Sequence, residues 1–310
     1  MKYFTHLVFA GNAFRSICLL GVLRYIYFNK MEDYIKNAAG TSMGSFFCLA
    51  FALKIPIDEL EAIITKTINS IDLKVIPSKK ILDFVVNLGF NDSRLYLTGI
   101  REYVKNKYNM DDITFMELSK LTGVNIYVST TKVNDSSNFI FNVNDTPNIS
   151  VFEAIAASMC IPILSKPIKI DNNYYIDGCI SNNLPYNVFD NINHSDILCV
   201  AVYVKSDYDF VIIPETKDDE EISIMEYVKQ LFNILYFNSF KHTFITKIEK
   251  FKNPLLISNS QFKSSLNLEI TKNDVIFNIS QDDIESLILQ GFRDMSEYMK
   301  KIINEEVSDF

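Results

Sequence analysis

The pentapeptide Gly40-Thr41-Ser42-Met43-Gly44 constrains this chain more than any other stretch. A strand-like run, residues 34–39, precedes it, and residues 45–53 after it are apolar on nearly every side. A helix that is apolar all round belongs in the middle of a fold. The residues between the two fit G-x-S-x-G, a sharp strand-to-helix turn that presents a nucleophilic serine. Flanking glycines let the backbone fold tightly without side-chain clash, and the following helix aims its positive end where an oxyanion would develop. The bare pattern also fits a glycine-rich turn into a buried helix.

The rest of the chain predicts an α/β setting for that turn. Residues 6–10 form a short apolar run halted at Gly11-Asn12 and predict a buried first strand, and residues 16–28 carry apolar positions at helical spacing. Asp58 with Glu61, and Thr114 with Glu117, have capping-box spacing, each opening a helix. Residues 124–130 and 139–143 predict strands, and residues 150–159 a helix ended by Ile161-Pro162. A short strand at 174–176 leads into Asp177-Gly178, and residues 197–204 predict a buried strand. Residues 215–221 suit a mostly acidic mobile connection, 222–248 a long helix, 252–278 short strands with turns, and 281–306 a closing amphipathic helix. Strands alternating with helices over 310 residues predict a single domain, 1–310, with a largely parallel sheet.

Charge and cysteine usage narrow the partners. A net charge of −8 and a pI near 5.0 argue against nucleic acid, which needs a basic surface. The five cysteines (Cys18, Cys48, Cys160, Cys179, Cys199) lack metal-ligand spacing and suit reduced thiols in a cytoplasmic chain, soluble or peripheral at membranes. No run of about 18 apolar residues is free of charge, so no transmembrane helix is expected. No His-Glu-x-x-His or calcium-loop pattern is present, so no metal site is expected either.

A serine nucleophile needs a base. The chain has three histidines, of which His6 precedes the elbow, while His194 and His242 follow an Asp in the order of a triad but sit in no local pattern of a catalytic loop. The elbow also follows only about two strands, early for a histidine-based hydrolase. A second segment offers a carboxylate: Tyr174-Tyr175-Ile176-Asp177-Gly178-Cys179 places Asp177 at the end of a strand, before a polar turn. A D-G turn joining two strands would read the same way.

The order of motifs resembles the patatin-like phospholipases. The resemblance runs from Leu7 to about Val188, with a weaker echo in the C-terminal helix. It is carried by Leu7-Val8-Phe9-Ala10-Gly11, Gly21-Val22-Leu23, Ala39 through Ser45, Thr114 through Leu118, Leu121 through Val124, Thr146 through Ser150, Ala154 through Pro162, and Asp177-Gly178 through Asn183-Leu184-Pro185. The resemblance implies a three-layer α/β/α sandwich with a largely parallel central sheet. It further implies hydrolysis of acyl-lipid esters, phospholipase A-type, by a Ser-Asp dyad through an acyl-enzyme, with no histidine, metal or cofactor. Ser42 then matches the nucleophile, Asp177 the base, and Gly40 and Gly44 the elbow glycines. Phospholipid or another acyl-lipid, at a membrane or micelle surface, is the implied substrate.

The sequence departs from the family at its oxyanion loop. Where Gly-Gly-Gly-x-Arg/Lys-Gly is usual, this chain has Gly11-Asn12-Ala13-Phe14-Arg15-Ser16. Gly11 and Arg15 match; Asn12, Ala13 and Ser16 replace glycines. Asn tolerates φ > 0 better than Ala or Ser does. Reduced activity is therefore an expectation, and the rival reading is a weakened relative that binds lipid or a partner protein. Cys179 is a lesser departure, since Gly or Ala commonly follows Asp-Gly. Ile224, Val228, Leu231 and Leu235 form an apolar stripe that suits core packing, or a lid that meets a membrane.

Overall fold

The computed structural model describes residues 3–70, 88–203, 248, 251, 253–258, 268–270, 275–277 and 280–308. The first strand is β1 (His6–Phe9), and a short 3₁₀ helix, Ala13–Ile17, leads into α1 (Cys18–Phe28). The second strand, β2 (Asn37–Thr41), lies later than predicted, because Gly40 and Thr41 still pair in the sheet opposite Val128 and Ser129. Helix α2 (Met43–Ala52) begins at once, so the five-residue turn shrinks to Ser42 alone. Helix α3 (Ile57–Ser70) starts before Asp58, which sits in its first turn rather than capping it.

Next come β3 (Gly89–Asn91), α4 (Thr98–Tyr108) and α5 (Phe115–Thr122). Here the capping box forms: the Glu117 N–H donates to Thr114 Oγ1 at 3.2 Å, and the Thr114 N–H to Glu117 Oε2 at 2.8 Å. Then follow β4 (Asn125–Lys132), β5 (Ser137–Asn142), α6 (Val151–Ser158), β6 (Ile163–Ser165), β7 (Ile168–Ile170), β8 (Asn173–Asp177) and α7 (Cys179–Asn182). The chain closes with β9 (Ile197–Tyr203), β10 (Leu255–Ser258), β11 (Leu268–Ile270), β12 (Val275–Phe277) and α8 (Gln281–Ser308). The acidic connection at 215–221, the helix at 222–248 (Ile248 apart) and its apolar stripe lie outside the described residues.

The main sheet runs β10-β9-β1-β2-β4-β8-β7, with β5 also on β4. Pairings from β10 to β4 are parallel; those of β4 with β5 and β8, and of β8 with β7, are antiparallel. Alternate residues face opposite sides, as the two-residue period of a strand requires. Leu7 and Phe9 join the core made with α1, α2, α6 and α8, while Val8 and Ala10 meet Leu184, Tyr186, Phe189 and Phe251.

Two features fix the site. First, β2 and β8 approach along one edge of β4 from opposite directions: Thr41 ends opposite Ser129 and Asp177 ends opposite Thr130. Consecutive positions of one strand thereby bring the ends of two others together. Second, α8 lies hard against α1. A Cβ on Gly291 would fall 1.8 Å from the Cys18 carbonyl oxygen, and one on Gly21 2.0 Å from that of Ile288, so only glycine permits this crossing.

Candidate active site

Ser42 leaves β2 with φ 52° and ψ −130°, a conformation that non-glycine residues rarely adopt. Such strain costs on the order of 1–3 kcal/mol and persists where the surroundings over-determine it. Here they do. A Cβ on Gly40 would lie 2.6 Å from the Gly44 carbonyl carbon, and one on Gly44 2.4 Å from the Phe9 carbonyl oxygen, so α2 packs directly on β1 and β2. The Ser45 N–H and hydroxyl both donate to the Ser42 carbonyl, at 2.9 and 2.6 Å.

The strand geometry delivers Asp177 to the same place. Ser42 Oγ–H donates to Asp177 Oδ2 at 2.8 Å, and the Cys179 N–H donates to Asp177 Oδ1 at 2.8 Å. Both residues are buried, with exposures of 5% and 4%. Burial raises the Asp177 carboxyl from 3.8 to about 6, against the opposing pull of its hydrogen bonds from Cys179 and Ser42. Burial, and then the neighbouring Asp177, hold the Cys179 thiol well above its ordinary range, so it stays protonated.

The loop of residues 11–16 stands beside them. A Cβ on Gly11 would lie 2.7 Å from Ser42 Cβ, so the loop packs directly against Ser42. The Gly11 N–H donates to Asn183 Oδ1 at 3.0 Å, and Asn183 Nδ2 donates back to the Gly11 carbonyl at 3.0 Å. The Asn12 N–H donates to Ser16 Oγ at 2.9 Å, and its Nδ2 donates to the Val202 carbonyl on β9 at 2.9 Å. Asn12 has φ −157°, which any residue adopts; Ala13, at φ 44°, is the loop residue in the left-handed region. Arg15 is buried on the short helix that follows.

The histidines have other neighbours. His6 shares hydrogen bonds with Thr5 and Asn37, at the start of β1 and so at the far end of that strand from Gly11. His194 stacks on Phe251, ring centroids 4.6 Å apart. His242 lies outside the described residues. Among the described residues no group of His, Cys, Asp and Glu is arranged to hold a metal ion.

The sequence model of the family described as patatin-like phospholipase matches residues 7–190. The chain belongs to that family. This patatin-like chain is 31% identical over 191 residues to the probable lipid hydrolase 463L of Invertebrate iridescent virus 6, a match covering 60% of the chain and 63% of that protein. It is 25% identical over 189 residues to the uncharacterized protein R571 of Acanthamoeba polyphaga mimivirus, covering 60% of the chain and 61% of that protein. The matched region thus spans under two thirds of either relative. The crystal structure of VipD from Legionella pneumophila shares the fold, with a TM-score of 0.58 at 12% identity, over 97% of this chain and 67% of that one.

Two polar residues of the patatin-like site have no role in the sequence reading: Asn183 and Ser158. The Ser42 N–H donates to Ser158 Oγ at 2.7 Å. A signal for Ser158 exists, since it is a lone hydroxyl in the otherwise apolar run Ala154-Ile155-Ala156-Ala157. Asn183 follows a turn, where Asn is common for local reasons, and nothing in the sequence points to a partner 172 residues away.

Proposed function

We propose that the chain is a lipid acyl hydrolase of the phospholipase A type, cleaving carboxylic esters through an acyl-enzyme on Ser42. The observation that carries this reading is the hydrogen bond from Ser42 Oγ to Asp177 Oδ2 at 2.8 Å, made at a strained elbow. Asp177 takes the hydroxyl proton while Oγ bonds to the acyl carbon and the carbonyl electrons move onto oxygen. When the tetrahedral species collapses, the bond to the alcohol breaks and Asp177 returns the proton to the departing oxygen. Water then attacks the acyl-enzyme and passes a proton to Asp177; collapse of the second tetrahedral species breaks the bond from the acyl carbon to Ser42 Oγ, Asp177 returns the proton to Oγ, and the fatty acid leaves. A carboxyl titrating at about 6 is a stronger base than an ordinary one and is still ionised at neutral pH.

The oxyanion needs donors. The N–H groups of Gly11 and Asn12 already serve Asn183 and Ser16. Ala13 and Met43 each open a helix, and the first N–H groups of a helix have no intrahelical acceptor. We assign the developing charge to these two, with α2 adding its dipole behind Met43. The substrate we infer is phospholipid or another acyl-lipid presented at a membrane or micelle surface. Family membership and the lipid-hydrolase name of the iridescent-virus relative support it.

The committed N–H groups of Gly11 and Asn12 favour one second reading, a weakened relative that binds lipid or a partner. Labelling with a fluorophosphonate probe, paired with fatty-acid release from phosphatidylcholine micelles, separates the two. Labelling and release that both vanish in Ser42→Ala are expected. A folded wild type that does neither belongs to the second reading.

A further inference from the structure

The nucleophile and its base are held by one short piece of chain, residues 158–160. The Ser42 N–H donates to Ser158 Oγ at 2.7 Å, and the Asp177 N–H donates to the Cys160 carbonyl at 2.8 Å. Ser158 sits at the end of α6, fully buried, and its hydroxyl proton goes to the Ser129 carbonyl at 2.6 Å. Ser129 is the residue opposite Thr41, the last paired position of β2. The hydroxyl therefore stands between the first N–H after β2 and a carbonyl of β4, relaying from one to the other where the strand turns away.

That placement answers a physical need. The Ser42 amide is the first beyond the paired residues of β2, inside a site where water is scarce. A buried N–H without an acceptor costs about 1–3 kcal/mol, which would tend to relax the elbow. With the Ser158 hydroxyl as acceptor, the strained conformation is the satisfied one. Two residues further on, the Cys160 carbonyl fixes the amide of the base. The distance between Ser42 and Asp177 is then set through a rigid helix end as well as through β4.

We infer that Ser158 is a positioning residue, whose hydroxyl holds the Ser42 backbone so that Oγ stays aligned on Asp177. The inference rests on the hydrolase reading above. Its test is the rate, and separately the final extent, of fluorophosphonate labelling in Ser158→Ala. A loosened nucleophile should label at least about ten-fold more slowly yet reach the same stoichiometry as wild type. On a soluble ester kcat should fall while KM stays within about two-fold, because alignment matters in the chemical step. A merely structural serine would lower the labelled fraction and leave the rate of the folded remainder unchanged, which would overturn the inference. Should Ser158→Ala not fold, Ser158→Cys keeps the volume and weakens the acceptor, and the same slow, complete labelling is expected. A wild type that never labels would sink the hydrolase reading itself, whereas a labelled wild type with an equally fast Ser158→Ala would sink this inference alone.

Discussion

Asn183 grips both backbone groups of Gly11: its carboxamide oxygen accepts the Gly11 N–H and its amide nitrogen donates to the Gly11 carbonyl, each at 3.0 Å. The Cys179 thiol also donates to that carboxamide oxygen at 3.0 Å. The loop beside Ser42 is thus tied to the segment that carries Asp177, six residues before Asn183.

Asn183→Ala should cut kcat by about 10- to 100-fold with a smaller change in KM, since loop donors act on charge present only near the transition state. It should also lower stability by about 1–3 kcal/mol by leaving a buried N–H and C=O unmet. Steady-state kinetics on a short-chain ester and a denaturant titration check both. Unchanged kcat in a destabilised variant would mean the clamp serves the fold alone.

The pH profile should carry the signature of Asp177. Its carboxyl titrates at about 6, and only the ionised form accepts the Ser42 proton. For a neutral ester, kcat/KM should fall about ten-fold per unit below that pH and level off above it. A profile flat down to about pH 4.5 would exclude a base with this raised affinity for protons.

The same carboxyl should weaken the fold at neutral pH. Its pKa rises from 3.8 to about 6 on folding, so its contribution is fully present below 3.8 and is lost as pH rises through about 6. Asp177→Asn keeps an acceptor for the Cys179 N–H and removes the buried charge. It should be inactive yet more stable at pH 8, by about 1–3 kcal/mol, with little gain at pH 4. Thermal melts at the two pH values decide it, and equal shifts at both would remove the charge from the explanation.

Glycine at positions 12 and 13 should act in opposite senses. Ala13 sits at φ 44°, so Ala13→Gly relieves strain of about 1 kcal/mol and should hold or raise kcat. Asn12 is extended and donates to Val202, so Asn12→Gly should destabilise and slow the enzyme. Parallel melts and kcat measurements test this, and a stabilising Asn12→Gly would be the surprise.

What the sequence made legible follows the range of the interactions. The elbow could be read because Gly40, Ser42 and Gly44 meet their demands within five residues, and Asp177 because a strand end and a Gly mark it locally. The strand β2 appears too early in the sequence reading because Gly40 is a poor strand former; pairing with β1 and β4 on both sides overrides that preference. Asn12 is better suited than Ala13 to φ > 0, yet Ala13 takes it, because the Asn12 side chain is anchored on β9. Ser158 and Asn183 act across 116 and 172 residues, distances at which no periodicity or cap announces a partner.

The crossing of α1 with α8 joins two stretches of chain that lie far apart in the sequence. Ser42, Asp177, the loop beside them and the Asn183 clamp all lie between Gly11 and Asn183. Ile284, Leu287, Ile288 and Met295 of α8 share the buried core with α1, more than 250 residues further along the chain. A side chain at Gly21 or Gly291 would have to push the two helices apart, and with them part of the helical cover of the sheet that carries Ser42 and Asp177.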